Sequence, residues 1–65
     1  MKILINGCEV ETTMETLEEL MIEQNFTQDW LASAVNSNLV KKNHRAKYKL
    51  HEGDKIEILS PMQGG

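Results

Sequence analysis

The chain has 65 residues, of which 40% are hydrophobic and 26% charged, and its formal net charge is −3. This composition is typical of a folded protein rather than a disordered one. A chain of this length makes one small domain, which buries roughly 60% of the surface that its unfolded form exposes. Such a core leaves little room for an enzyme cleft, so we expect a binding or carrier protein and not an enzyme.

The acidic balance argues against a nucleic acid partner, because phosphate binding needs clustered Lys and Arg. The one basic run, KKNHRAKYK, has a single aromatic residue, Tyr48, and is predicted to be a solvated loop. No apolar run is long enough to cross a membrane, and MKILING lacks the apolar core of a secretion signal, so we expect a cytoplasmic protein. A lone cysteine, Cys8, excludes an internal disulfide and predicts neither a metal site nor redox chemistry.

The first predicted element is a β-hairpin. Asn6-Gly7 separates two apolar runs, and both residues tolerate the positive φ of a type I′ turn. A two-residue loop sets the pairs Lys2 with Glu11, Ile3 with Val10, Leu4 with Glu9 and Ile5 with Cys8. Alternation then predicts one apolar face, which comprises Ile3, Ile5, Cys8 and Val10. Cys8 is therefore expected to be a core residue rather than a reactive thiol.

A short helix follows in TMETLEELMIEQN. Thr16 and Glu19 have the spacing of a capping box, and Asn25 is suited to close the helix in the left-handed conformation. The apolar stripe that faces the sheet comprises Leu17, Leu20 and Met21. The carboxylates on the helix are predicted to form a solvated face rather than a metal site; they are Glu15, Glu18, Glu19 and Glu23.

The second half of the chain predicts three more strands. LASAVNSNLV is a short strand, a turn at Asn36-Ser37-Asn38 and a second short strand, with the facing of its residues left open. HEGDKIEILS predicts a turn at Gly53-Asp54 and then a strand that Pro61 ends. In that strand Ile56 and Ile58 point to one face and the alternate residues, Lys55, Glu57 and Leu59, to the other.

This order of elements predicts an α+β fold in which one helix packs on one face of a mixed sheet of four to five short strands. Residues 1–60 are expected to form the globular domain, and residues 61–65 a flexible tail that ends in Gly64-Gly65. Leu4 and Leu59 are predicted to lie on the uncovered face of the sheet. Together with Met62 they are candidates for an exposed apolar patch that binds a partner.

Over its whole length the chain resembles the ThiS family, the small sulfur carriers of thiamine biosynthesis, which have the ubiquitin-like β-grasp fold. The resemblance rests on the element order, on AVNSNLV, and on LHEGDKIEILSPMQGG with its terminal diglycine. The chain departs from the family's common pattern in three places. Asn36-Ser37 stands where Asn-Gly is usual, Lys41 where proline is usual, and Arg45 near a usual aromatic residue.

The resemblance implies a mechanism. The carboxylate of Gly65 would be adenylated by an E1-like activating enzyme, which uses ATP and magnesium, while the chain itself binds no cofactor. A sulfur donor such as a cysteine desulfurase system would then produce a thiocarboxylate, which passes sulfur to thiazole synthase. Gly64 and Gly65 have no Cβ, so they suit a narrow channel in a partner. The free protein is expected to be a monomer.

Three alternatives remain open at this point. The small subunit of molybdopterin synthase shares the fold and the tail, although it is usually longer. A ubiquitin-like protein modifier would become joined to lysines through Gly65, and a plain β-grasp binding module would not need Gly65 at all. An independent enzyme is disfavoured because His44 and His51 lie in or near polar loops, with no recognisable nucleophile or acid partner.

Overall fold

The computed structural model describes residues 1–60 and forms a five-stranded sheet with one α-helix in that range. The strands are β1 (Lys2–Ile5), β2 (Cys8–Glu11), β3 (Ala32–Val35), β4 (Asn38–Val40) and β5 (Lys55–Leu59). Helix α1 spans Leu17–Glu23, and a 3-10 helix spans Lys42–Lys47. The strand order is β2-β1-β5-β3-β4, in which β1 and β5 are parallel and the other neighbours antiparallel. This is the predicted β-grasp arrangement.

The β1–β2 hairpin has the predicted register at all four residue pairs, from Lys2 opposite Glu11 to Ile5 opposite Cys8. Asn6 and Gly7 form the turn with φ values of 50° and 83°. The prediction that Cys8 is a core residue is wrong, because its side chain is exposed. Cys8 is the first residue of β2, which lies at the edge of the sheet and has a neighbouring strand on one side only. Alternation along the strand predicted on which face of the sheet Cys8 lies. It did not predict burial, because a residue on an edge strand next to a turn remains in contact with solvent.

Helix α1 begins and ends as predicted. The Thr16 hydroxyl accepts a hydrogen bond from the Glu19 amide, and the Glu19 carboxylate accepts one from the Thr16 amide. At the other end Asn25 has φ 66°, and the Phe26 amide donates to the Met21 carbonyl at 2.7 Å. That bond satisfies a carbonyl at the end of the helix, so α1 ends after two turns.

The core lies between α1 and the face of the sheet that α1 covers. The helix contributes Leu17, Leu20 and Met21, all buried as predicted. The sheet contributes alternate residues of four strands, and a loop adds one more: Ile3, Ile5, Val35, Val40, Ile56, Ile58 and Leu50. Because successive strand residues point to opposite faces, this set leaves the other face of the sheet uncovered.

The β3–β4 hairpin turns at Asn36-Ser37, with φ values of 51° and 73°, and Asn38 begins β4. Two residues with positive φ are the geometry of a type I′ turn, here without glycine. The Asn36 side chain supports the turn by donating to Asp54 Oδ1 at 3.0 Å and accepting from the Lys55 amide at 3.0 Å. The turn that starts β5 has Gly53 at φ 82°.

The basic run 41–49 departs from the predicted solvated loop. It contains the 3-10 helix, and Arg45 within it is buried, with 7% of its surface exposed. The Arg45 Nε donates to Ser33 Oγ at 2.8 Å and its Nη2 donates to the Leu31 carbonyl at 2.7 Å. Ser33 in turn donates to the Val40 carbonyl. Arg45 therefore ties the run to the β3–β4 hairpin, while the lysines of the run are exposed.

Candidate partner-binding face and tail root

The uncovered face of the sheet is the first part of the candidate site. Residues that pair across neighbouring strands share a face, so the register identifies its members. They are Lys2, Leu4, Glu9, Glu11, Ala32, Ala34, Leu39, Lys55, Glu57 and Leu59. Leu4 and Leu59 thus both lie on this face, as the sequence predicts. Their role as partner contacts stays a prediction.

Four apolar residues at one end of this face form what we call the outer-face patch: Leu39, Ala34, Ala32 and Leu59. Leu39 is opposite Ala34, and Ala32 is opposite Leu59. The two leucines are 69% and 55% exposed, among the most exposed large apolar side chains of the described residues. Between them Ala32 is half-buried and Ala34 is buried, so the two leucines supply most of the exposed apolar area of the patch.

Leu39 was missed by the sequence analysis, and a signal for it was present. A two-residue turn at Asn36-Ser37 places Leu39 opposite Ala34, just as the same reasoning placed Leu4 opposite Glu9. Treating the turn as three residues long left the facing of the strands undetermined. The register of the second hairpin was therefore the missing step.

Leu4 is half-buried and lies apart from the outer-face patch. It is in register with Lys55, which precedes Leu59 by four positions along β5. At about 3.3 Å per residue, this separates Leu4 from Leu59 by roughly 13 Å along the strand, with Glu57 between them. Leu4 instead borders a hollow of about 250 Å³ that Lys55, Glu57 and the two hairpin turns also line. The two leucines are thus separate contact points on one face.

The second part of the site is the tail root, by which we mean the last residues of β5. β5 is the central strand and pairs with β1 on one side and β3 on the other. β1 ends before β5 does, and the Asn6 side chain continues the ladder. Its Oδ1 accepts from the Ile58 amide at 2.9 Å, and its Nδ2 donates to the Ile58 carbonyl at 3.3 Å. Both sides of β5 are therefore held near the point where the tail begins.

The remaining predicted site residues, Met62, Gly64 and Gly65, lie outside the described residues, as does Pro61. Within residues 1–60, no group of three or more His, Cys, Asp or Glu side chains is placed to hold a metal ion. His44 and His51 are both exposed. In the same range, no helix combines the length and apolar character needed to span a membrane.

One ion pair perturbs a titrating group. Lys42 Nζ lies 2.7 Å from Asp29 Oδ1 and donates a hydrogen bond to it. That hydrogen bond, together with the positive charge, lowers the pKa of Asp29 below its ordinary value of 3.8. Both side chains are largely exposed, so the pair is a weak surface interaction.

Comparison with known proteins identifies a family for the chain. A crystal structure of a thiamine biosynthesis protein (ThiS) from Geobacter metallireducens superposes with a TM-score of 0.85 at 20% sequence identity, and the match covers 100% of each chain. No curated protein sequence is significantly similar to the chain. The sequence pattern of the ThiS family matches residues 3–65, from β1 through both final glycines. The chain therefore belongs to the ThiS family of small sulfur carrier proteins.

Proposed function

We propose that this chain carries sulfur as a thiocarboxylate on Gly65 in the formation of the thiazole of thiamine, in the cytoplasm. An E1-like activating enzyme adenylates the Gly65 carboxylate with magnesium ATP, and a sulfur donor such as a cysteine desulfurase system supplies the sulfur. Thiazole synthase receives it. The observation that carries the proposal is that the ThiS family pattern matches residues 3–65, which include Gly64 and Gly65. The family match therefore includes the tail as well as the domain.

The chemistry explains why a carrier needs a partner. A carboxylate is a poor electrophile, because its charge is shared between two oxygens. When a carboxylate oxygen attacks the α-phosphorus of ATP, pyrophosphate leaves and the acyl group becomes linked to AMP. A sulfur nucleophile then attacks the carbonyl carbon, and AMP leaves with the oxygen. The partner must stabilise the charge that develops, since the described residues offer no phosphate-binding loop.

The tail root suits a protein that carries sulfur on Gly65, because it fixes the position from which the tail starts. β5 has neighbouring strands on both sides, and Asn6 holds Ile58 beyond the end of β1. A partner that binds the domain therefore meets a tail that starts from a defined position. Rigid placement of the root reduces the conformational entropy that binding must offset.

The outer-face patch is the proposed docking surface for these partners. Leu59 belongs to the patch and is also the last residue of β5, so a partner that covers it is next to the start of the tail. Exposed leucines beside small alanines offer apolar area that water would leave on binding, at about 25 cal/mol per Å². Leu4 and Met62 are secondary candidates for contact with the same partner.

The decisive experiment measures the intact mass of the protein after reaction. The untagged C-terminus is incubated with a ThiS-type activating enzyme of demonstrated activity, magnesium ATP and sodium sulfide. We expect the mass increase of one oxygen replaced by sulfur, located at Gly65 by fragmentation. A variant that lacks Gly65 should unfold at the same temperature but acquire no sulfur.

The other outcomes separate the alternatives. Sulfur on the variant that lacks Gly65 would contradict the proposed site. No mass change, with an enzyme that modifies its own carrier in a parallel reaction, would favour a plain binding module. Isopeptide-linked adducts on other proteins would indicate a protein modifier. Sulfur transfer in complex with the large subunit of molybdopterin synthase, but not to thiazole synthase, would indicate that the chain is the small subunit of molybdopterin synthase.

A further inference from the structure

A second apolar surface lies on the helix side of the molecule, away from the outer-face patch. It is a groove of about 310 Å³ between α1 and the 3-10 helix. Its lining comprises Glu18, Met21, Ile22, Phe26, Thr27, Lys42 and Arg45. Ile22 is 58% exposed, although its neighbours Leu20 and Met21 are buried in the core. The groove therefore presents apolar area that the fold itself does not use.

The charge at the base of this groove is unusual. Arg45 is buried, and both hydrogen bonds of its guanidinium go to neutral oxygens, those of Ser33 and Leu31. Among residues 1–60, no carboxylate oxygen lies within 4 Å of it, since the ion pairs of that range are Met1 with Glu11 and Lys42 with Asp29. A buried cation is normally paired with an anion, because desolvation of an unpaired charge is costly. Arg45 is thus a cation without a counter-ion in the described chain.

The two rims of the groove carry opposite charges. Lys42 belongs to one rim, and its pair with Asp29 is exposed and weak, so the ammonium is free to exchange that partner for another carboxylate. Glu18 belongs to the other rim, on α1, and is exposed. This asymmetry sets an orientation, because an incoming anion is attracted by Lys42 and Arg45 and repelled by Glu18.

We propose that this groove is a second docking surface, which binds a partner-protein segment that carries a carboxylate beside a large apolar side chain. The carboxylate pairs with Arg45 and Lys42, and the apolar side chain packs on Ile22 and Phe26. Because the groove and the outer-face patch lie on opposite sides of the sheet, a partner in the groove leaves the patch free. The inference does not depend on the sulfur chemistry of Gly65.

The test uses two blocked tripeptides as probes: leucine-aspartate-phenylalanine and its asparagine analogue, each acetylated and amidated. Each is titrated into the ¹⁵N-labelled full chain and followed by NMR. We expect the aspartate peptide to cause saturable shifts at the amides of Ile22 and Phe26 and at the Arg45 Nε. The asparagine peptide should bind at least roughly tenfold more weakly, because a neutral amide loses the charge-assisted contacts to Arg45 and Lys42. Equal binding of the two peptides would overturn the proposal, and so would no saturable shift or shifts confined to the outer-face patch.

Variants separate the groove from the fold. Ile22→Gln replaces an exposed helix residue with a good helix former, so the protein should fold normally while its affinity for the peptide falls several-fold. Lys42→Gln should also weaken binding, and Glu18→Gln should strengthen it by removing the repulsion. Leu59→Glu, on the outer face, is the matched control and should leave peptide affinity unchanged. A Glu18→Gln variant that binds less tightly would contradict the assigned orientation.

Discussion

Asn6 holds the tail root through its side chain, and its replacement tests that role. Asn6→Gly removes both hydrogen bonds to Ile58 yet keeps a residue that accepts φ 50° without strain. Each such bond contributes about 0.5–1.5 kcal/mol net, so we expect the loss of both to lower the free energy of unfolding by about 1–3 kcal/mol. For a domain of this size that lowers the melting temperature by roughly 4–24 °C. Asn6→Ala should lose about 1–2 kcal/mol more, because alanine also meets the cost of the left-handed conformation.

The assay is thermal and urea unfolding followed by circular dichroism, combined with amide hydrogen exchange. The Ile58 amide should exchange faster in the glycine variant under native conditions, since its acceptor is the Asn6 side chain. The Leu20 amide, bonded to the Thr16 carbonyl in α1, is the internal reference and should change only with global stability. If Ile58 keeps its protection relative to Leu20, or if stability falls by less than about 0.5 kcal/mol, Asn6 does not hold the root as described.

Three further substitutions test other parts of the structure. Thr16→Ala should lower the unfolding free energy by about 1 kcal/mol, while Thr16→Ser keeps the cap and should be nearly neutral; equal losses in urea unfolding would disprove the capping role. Leu39→Glu should weaken binding to the activating enzyme in calorimetry without a change in melting temperature, and a collapse of that temperature would place Leu39 in the core instead. Because the folded-state pKa of Asp29 is depressed, its contribution is present above the unfolded pKa near 3.8 and is lost as the pH falls through the lower folded value. The melting temperatures of wild type and Asp29→Asn should therefore converge at low pH and also in 1 M salt (Debye length about 3 Å); a difference that persists in both would contradict the ion pair.

Local patterns in the sequence predicted most of the fold. The Asn6-Gly7 turn fixed the register of the first hairpin, and the spacing of Thr16 and Glu19 located the start of α1. Alternation in β5 predicted that Ile56 and Ile58 are buried while Leu59 is exposed. These features depend on residues within a few positions of each other, so the pattern alone decides them.

The predictions that failed depend on neighbours distant in sequence. Whether Cys8 is buried depends on which strand lies at the edge of the sheet, and no local pattern states this. Arg45 is buried because it contacts Ser33 and Leu31, which precede it by 12 and 14 positions. In the sequence it is one cation among several in a polar run. The hydrogen bonds between Asn6 and Ile58 join residues 52 positions apart, and no pattern near either residue predicts them.

The parallel pairing of β1 and β5 has a mechanical consequence. β1 lies near the first residue of this chain and β5 leads toward the last. A force that pulls these two ends apart therefore shears β1 and β5 past each other along their length. The bonds that join this pair include Leu4 to Asp54, Asn6 to Ile56 and the Asn6 side chain to Ile58. Under such a load they share the strain and must rupture together, whereas an antiparallel hairpin opens one bond at a time. A partner that pulls on the last residues therefore loads β5 along its length, against all of these hydrogen bonds at once.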